Sequence, residues 1–110
     1  MVEVGFNIVI KKDGNIFLSA AKTELLSEIV KCGSLIGAAK ALKISYQHAW
    51  NLIDDMNRVA PEPLIVKQRG GANGGGATIS AYGERVLREY ILIEAQVANL
   101  VKMINVEINL

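Results

Sequence analysis

The stretch GSLIGAAKALKISYQHAWNLIDDMN, residues 33–57, decides the fold. Ser34 can cap a short helix over 35–42 whose inner face is Ile36, Ala39 and Leu42. Lys43-Ile44-Ser45 is a tight link, and Ser45 can cap a further helix over 46–59. Two helices crossing steeply over a short turn need small side chains where their backbones approach. Ala38, Ala39 and Ala41 supply them, and Leu42 and Ile44 can plug the corner. On the second of these helices Ala49, Leu52, Ile53 and Met56 recur at helical spacing and make one buried face.

Upstream, Val4, Phe6, Ile8 and Ile10 alternate with more polar neighbours, the period of a half-buried strand. Asp13-Gly14 is a two-residue turn signal, because both positions accept positive φ. Residues 4–19 therefore read as a β-hairpin returning through 15–18. Ser19 can cap a helix over 20–32, with Leu25, Leu26, Ile29 and Val30 as its apolar stripe and Gly33 as its stop. Downstream, Pro61-Glu62-Pro63 breaks the chain, a strand is expected over 64–69, and Gly70 to Gly76 is the one low-complexity piece. A returning strand over 77–80 leads to Ser80, which can cap a long helix over 81–105. Two short helices over a tight turn, followed by a β-ribbon, match a winged helix-turn-helix. The expected fold class is mainly α with small β (α+β). It forms a single domain over 1–110, divided into the hairpin at 4–19, the helix-turn-helix and wing at 20–80, and the long helix at 81–105.

The solvent face of the 46–59 helix is centred on Gln47, Asn51 and Arg58, with Asp54 among them and Tyr46 and His48 flanking its start. Helix-turn-helix proteins present the start of this helix to base edges. Gln and Asn can bond adenine bidentately, and His and Tyr can donate to bases or phosphates. The Ser34 and Ser45 helix starts offer hydroxyls and free N–H groups to phosphates. Asp54 and Asp55 would face phosphates late in the helix, so only its first two turns suit reading. The glycine run lacks the Gly-Lys-Ser/Thr ending of a P-loop and fails G-x-G-x-x-G at every register. It reads as a hairpin tip whose backbone N–H groups can approach phosphates without side-chain obstruction. Trp50, between the buried and exposed faces, reads as a packing residue.

Residues 33–57, the glycine cluster GGANGGGATIS and the helix start AYGERVL together resemble the DNA-binding domain of the ModE family of molybdate-responsive transcription regulators. That domain is similar to the winged helix-turn-helix of LysR-type regulators. The resemblance covers about residues 20–105. It implies a prokaryotic, sequence-specific regulator of double-stranded DNA whose recognition helix is 46–59, with Ser45, Tyr46, Gln47, His48 and Asn51 nearest the DNA. Lys67 and Arg69 would enter the wing, Asn73 would sit at its tip, and the long last helix would pair antiparallel with its twin. Family members carry a C-terminal molybdate-binding module. The sequence ends at Leu110 without one, so molybdate enters as a ligand through the resemblance alone and no cofactor is expected from the residues.

The 110 residues are 51% hydrophobic and 21% charged, the composition of an ordinary globular domain. A mean hydropathy of +0.28 is high for so small a domain and suggests a subunit interface. The net charge of +1 permits nucleic-acid binding without arguing for it. The basic excess lies in residues 31–60, where Lys31, Lys40, Lys43 and Arg58 face Asp54 and Asp55. No unbroken apolar stretch suits a membrane span, and the N-terminus lacks the features of a signal peptide. One cysteine, Cys32, excludes an internal disulfide and suits a reducing cytoplasm. One histidine far from that cysteine gives no metal-ligand cluster, and no nucleophile–base constellation suggests an enzyme.

In the last helix Val86, Tyr90, Ile93, Val97, Leu100 and Ile104 hold a heptad seam, and further apolar residues widen it. A single small domain cannot cover such a helix alone, so a homodimer is expected. Two-fold symmetry would set two recognition helices about one DNA turn apart. The competing reading is a dimeric architectural or protein-interaction module with only nonspecific DNA affinity, which the low net charge favours.

Overall fold

A computed structural model describes residues 1–68 and 76–110. Strands β1 (Ile10–Lys12) and β2 (Asn15–Leu18) pair antiparallel around Asp13 and Gly14, whose φ values of 52° and 81° are those of the expected turn. Helices α1 (Ala20–Cys32), α2 (Leu35–Leu42) and α3 (Tyr46–Val59) follow, then the ribbon β3 (Ile65–Gln68) and β4 (Gly76–Ile79), then α4 (Ala81–Glu107). Among the described residues this is an α+β fold of four helices and two antiparallel ribbons, consistent with a winged helix. Arg69, Asn73 and most of the glycine run lie outside the described residues.

Serine hydroxyls set three of the four helix starts. Ser34 Oγ accepts from Gly37 N at 3.0 Å, Ser45 Oγ from His48 N at 3.0 Å and Ser80 Oγ from Gly83 N at 2.9 Å. Gly33, at φ 71°, ends α1, and its N–H bonds Ile29 O. The helix-turn-helix corner is closed by Lys43 at φ 58° and by Ile44 N donating to Ala39 O at 3.0 Å. A lysine in this left-handed conformation bears mild strain, which that bond and the one from Lys43 N to Lys40 O at 3.1 Å offset.

The core is formed by Phe17 and Leu18 of β2, Leu25, Leu26 and Ile29 of α1, Leu35, Ala38 and Ala39 of α2, Ala49, Ile53 and Met56 of α3, Leu64 and Ile65, Ala77, and Tyr90 of α4. Ala38 and Ala49 are fully buried, as the close crossing of α2 and α3 requires. The inner face of α2 is rotated from the expected one. Ile36 is exposed and Leu35 takes the core position, while Val30 at the end of α1 is exposed as well.

The hairpin is shorter than the alternation over residues 4–19 predicts. Ser19 begins the approach to α1, so β2 has only four residues and pairs only as far as Ile10, with an irregularity between Ile10 and Lys11. The upstream arm instead reaches the far end of α4. There Val4 N donates to Asn105 Oδ1 at 2.6 Å and Asn105 Nδ2 donates back to Val4 O at 3.2 Å. On α4 the half-buried positions beyond Tyr90 are Val97, Val101 and Asn105, spaced by four on the side that meets the arm.

Candidate nucleic-acid interface

The start of α3 is held at the surface by its packing. Ala49, Ile53 and Met56 are buried on one side, which turns Tyr46, Gln47, His48 and Asn51 outward, all of them exposed. Ser45 accepts the His48 amide, so its hydroxyl hydrogen stays available to an acceptor such as a phosphate oxygen. Gln47 Nε2 donates to Asn51 Oδ1 at 3.0 Å, one helical turn apart. Oε1 of Gln47 and Nδ2 of Asn51 form no other bond among the described residues, leaving one acceptor and one donor side by side.

Trp50 joins this face to the wing. Its ring is half-buried, meets the Tyr46 ring edge-on at a centroid distance of 6.1 Å, and carries Lys67 Nζ at 4.4 Å from its centroid. A cation over an indole contributes about 0.5–1 kcal/mol at an exposed site. Helical spacing marks Trp50 as a packing residue and the resemblance puts Lys67 on the wing, but neither implies their contact. No spacing rule links residues seventeen positions apart on different elements.

Asn57 fixes where the wing begins. Its Oδ1 accepts from Leu64 N at 2.8 Å and its Nδ2 donates to Ile65 O at 3.0 Å, tying the last turn of α3 to the first residues of the ribbon. Ser80 fastens the other strand, with its N–H on Leu64 O at 2.8 Å and its hydroxyl donating to Pro63 O at 2.6 Å. Asn57 was missed as a site residue. Its one signal is an amide at a helix end just before a proline-bounded break.

The remaining expected residues are dispersed. Ser34 lies at the start of α2 with its hydroxyl accepting the Gly37 amide. Arg58 lies at the far end of α3, with Nη2 3.2 Å from Asp55 Oδ1, away from the reading turns. The α4 seam divides. Tyr90 is only 3% exposed and belongs to the chain's own core, with the half-buried Val86 packed against that core. The domain's hydrophobic centre, between α1 and β2, claims the first turns of the seam. Ile93, Leu100 and Ile104 remain exposed, and Val97 is half-buried on the flank nearer the arm. Among the described residues no group of His, Cys, Asp and Glu is arranged for a metal ion, and no helix is long and apolar enough to cross a membrane.

A helix start with outward amides, seated beside a ribbon that is locked to the same helix, defines a winged helix-turn-helix domain. No protein-family model matches the chain. It is 41% identical over 87 residues, 79% of its length, to the transcriptional regulator ModE of Haemophilus influenzae. It is 38% identical over 92 residues, 84% of its length, to the molybdenum transport protein ModE of Azotobacter vinelandii. To the DNA-binding transcriptional dual regulator ModE of Escherichia coli K12 it is 34% identical over 86 residues, 78% of its length. The matches span 34%, 34% and 33% of those relatives, about a third of each. Over about four-fifths of its own length the chain is thus similar to ModE transcriptional regulators, of which it spans about a third.

Proposed function

We propose that the chain is a transcription regulator that binds double-stranded DNA as a homodimer and reads sequence through the first two turns of α3, at genes concerned with molybdenum or related oxyanions. One observation carries this reading. The exposed face of Tyr46, Gln47, His48 and Asn51 is continuous, through Trp50, with the cationic wing residue Lys67. A reading surface and a backbone-gripping cation therefore sit on one side of the molecule. The relatives' printed names, transcriptional regulators and a molybdenum transport protein, support the target class and give no support to an enzyme. For the homodimer, the support is the free flank of α4. The arm occupies one side of that helix, and Ile93, Leu100 and Ile104 lie exposed beside it.

The test is fluorescence anisotropy with a fragmented pool of genomic DNA over a salt series, with and without molybdate. A few fragments should stay bound as salt rises while the bulk is released. Asn51→Ala should lose preference among fragments and keep most nonspecific affinity, whereas Lys67→Ala should weaken all fragments alike. If all fragments fall away together and both substitutions have equal, small effects, the chain is the nonspecific architectural module that its +1 net charge would suit.

A further inference from the structure

We propose that the cleft between the β1–β2 turn, the start of α1 and the end of α3 seats a phosphate oxyanion supplied by the DNA backbone, an assignment that rests on the DNA-binding reading above. The cleft has a volume of about 770 Å³, and its polar lining is Lys12, Asp13, Asn15, Ser19, Lys22, Asp55 and Arg58. Lys22 is 7% exposed, yet its ammonium makes no hydrogen bond or ion pair among the described residues. Burying a cation without a counter-charge is costly, and a buried stem with its head at an opening is the usual compromise. No sealed side-chain nitrogen or oxygen lacks a partner among the described residues, so this ammonium still meets solvent, and Lys22 is among the residues that line this cleft.

The second observation lies beside it. Ser19 caps α1 without a side-chain bond, unlike Ser34, Ser45 and Ser80, and α1 has no acidic residue in its first turn. The hydroxyl and the first N–H groups of a thirteen-residue helix are thus left for an anion from outside. Three cations in the lining face two carboxylates. Asp55 is held by Arg58 at 3.2 Å and Asp13 is exposed at the turn, which leaves an excess of one positive charge. A phosphodiester carries one negative charge and balances that excess, whereas a dianion would exceed it. The location suits the same source. Arg58 follows Gln47 by eleven residues along one line of α3, about 16 Å at 1.5 Å per residue. That distance exceeds the roughly 12 Å width of the major groove, so a helix end at this remove reaches the flanking backbone. The N-terminal hairpin thereby acquires a task, as the third wall of a phosphate seat.

The experiment uses the intact chain and Lys22→Met, which keeps the buried stem and removes the charge. DNA affinity is measured against salt, and amide NMR shifts are followed while inorganic phosphate replaces chloride at constant ionic strength. Lys22→Met should weaken all sequences alike and lower the slope of log affinity against log salt by about 0.9 for each seat, or about 1.8 for the proposed dimer with its two seats. An unchanged slope in a folded variant overturns the assignment to DNA. If the slope is unchanged while phosphate moves the amides of residues 19–22 along a saturable curve that Lys22→Met abolishes, the seat takes a free oxyanion and the DNA source is refuted. Should Lys22→Met fail to fold, Lys22→Gln, which also removes the charge, gives the same comparison. Should the wild-type chain not bind DNA at all, the DNA-binding reading itself fails, and the phosphate titration still decides whether the cleft binds the anion.

Discussion

Replacing Asn57 by alanine removes the clasp between α3 and the ribbon, and its cost follows from what the clasp holds. The two partners are backbone groups of Leu64 and Ile65, residues 0% and 2% exposed, bonded at 2.8 and 3.0 Å, with a third, longer contact of 3.5 Å to Ile65 N. Asn57→Ala leaves one buried N–H and one buried C=O without these partners, at about 1–3 kcal/mol each before relaxation. A net loss of about 2–4 kcal/mol is expected, or about 9–17 °C in Tm for a chain of this length. Asn57→Asp keeps the acceptor for Leu64 N–H and turns a carboxylate oxygen toward the Ile65 carbonyl. That arrangement disfavours the charged form and raises the folded-state pKa of the new carboxyl. Its stability relative to the alanine variant should therefore be greatest in acid, where the protonated carboxyl donates to Ile65 O, and should decline as pH rises through the raised value. Thermal unfolding at fixed protein concentration, at neutral pH and near pH 4, reads both effects. An alanine variant within about 1 kcal/mol of wild type would refute the reasoning, since the clasp would then be worth no more than a surface hydrogen bond.

Further outcomes are expected from the same contacts. Gly83→Ala should destabilise by about 1–3 kcal/mol despite the helix preference for alanine, because its Cβ would meet the Leu64 carbonyl oxygen and lie 2.7 Å from Ile79 Cγ1. Gly37→Ala, which meets the movable Ser34 Oγ at 2.9 Å, should cost less in the same melting experiment. Leu100→Lys should shift the sedimentation equilibrium toward monomer with little loss of helix by circular dichroism, whereas Tyr90→Ala should unfold the domain itself. Alkylation of Cys32 by iodoacetamide should be slow at neutral pH and faster in Glu28→Gln. Desolvation, and after it the Glu28 carboxylate 3.6 Å from Sγ, hold the thiol above its ordinary pKa.

The helices and the turn at Asp13-Gly14 are legible because each is set by neighbours in sequence: a serine before each helix, a periodic stripe within it and, for α1, a glycine after it. The hairpin length is not. The alternation from Val4 to Ile10 predicts a strand, but a ladder needs a partner as long as itself, and the cap at Ser19 ends β2 after four residues. The division of the α4 seam was hidden for a related reason. Heptad spacing shows that Tyr90 and Leu100 share a stripe, but not that the domain's own core ends between them. At the candidate interface, the outward set on α3 followed from helical angles, whereas Lys67 over Trp50 and Asn57 on the ribbon join separate elements and leave no periodic trace.

The bond between Gln47 and Asn51 has a further consequence. A carboxamide turned half a revolution about its last bond exchanges oxygen for nitrogen, so the pair has two internal arrangements of equal bond count. In one, the glutamine shows an acceptor and the asparagine a donor; in the other, the order along the helix is reversed. Adenine shows an acceptor at N7 and a donor at N6, in an order that depends on which strand carries it. On DNA bound as proposed, such a reversible couple accepts adenine from either strand at little cost. Guanine, with acceptors at both N7 and O6, leaves the outward oxygen facing another acceptor in either arrangement. Selection from a randomised operator library should then return adenine–thymine in both orientations opposite this couple, with guanine–cytosine depleted; recovery of one fixed orientation would show that the surrounding contacts lock the amides.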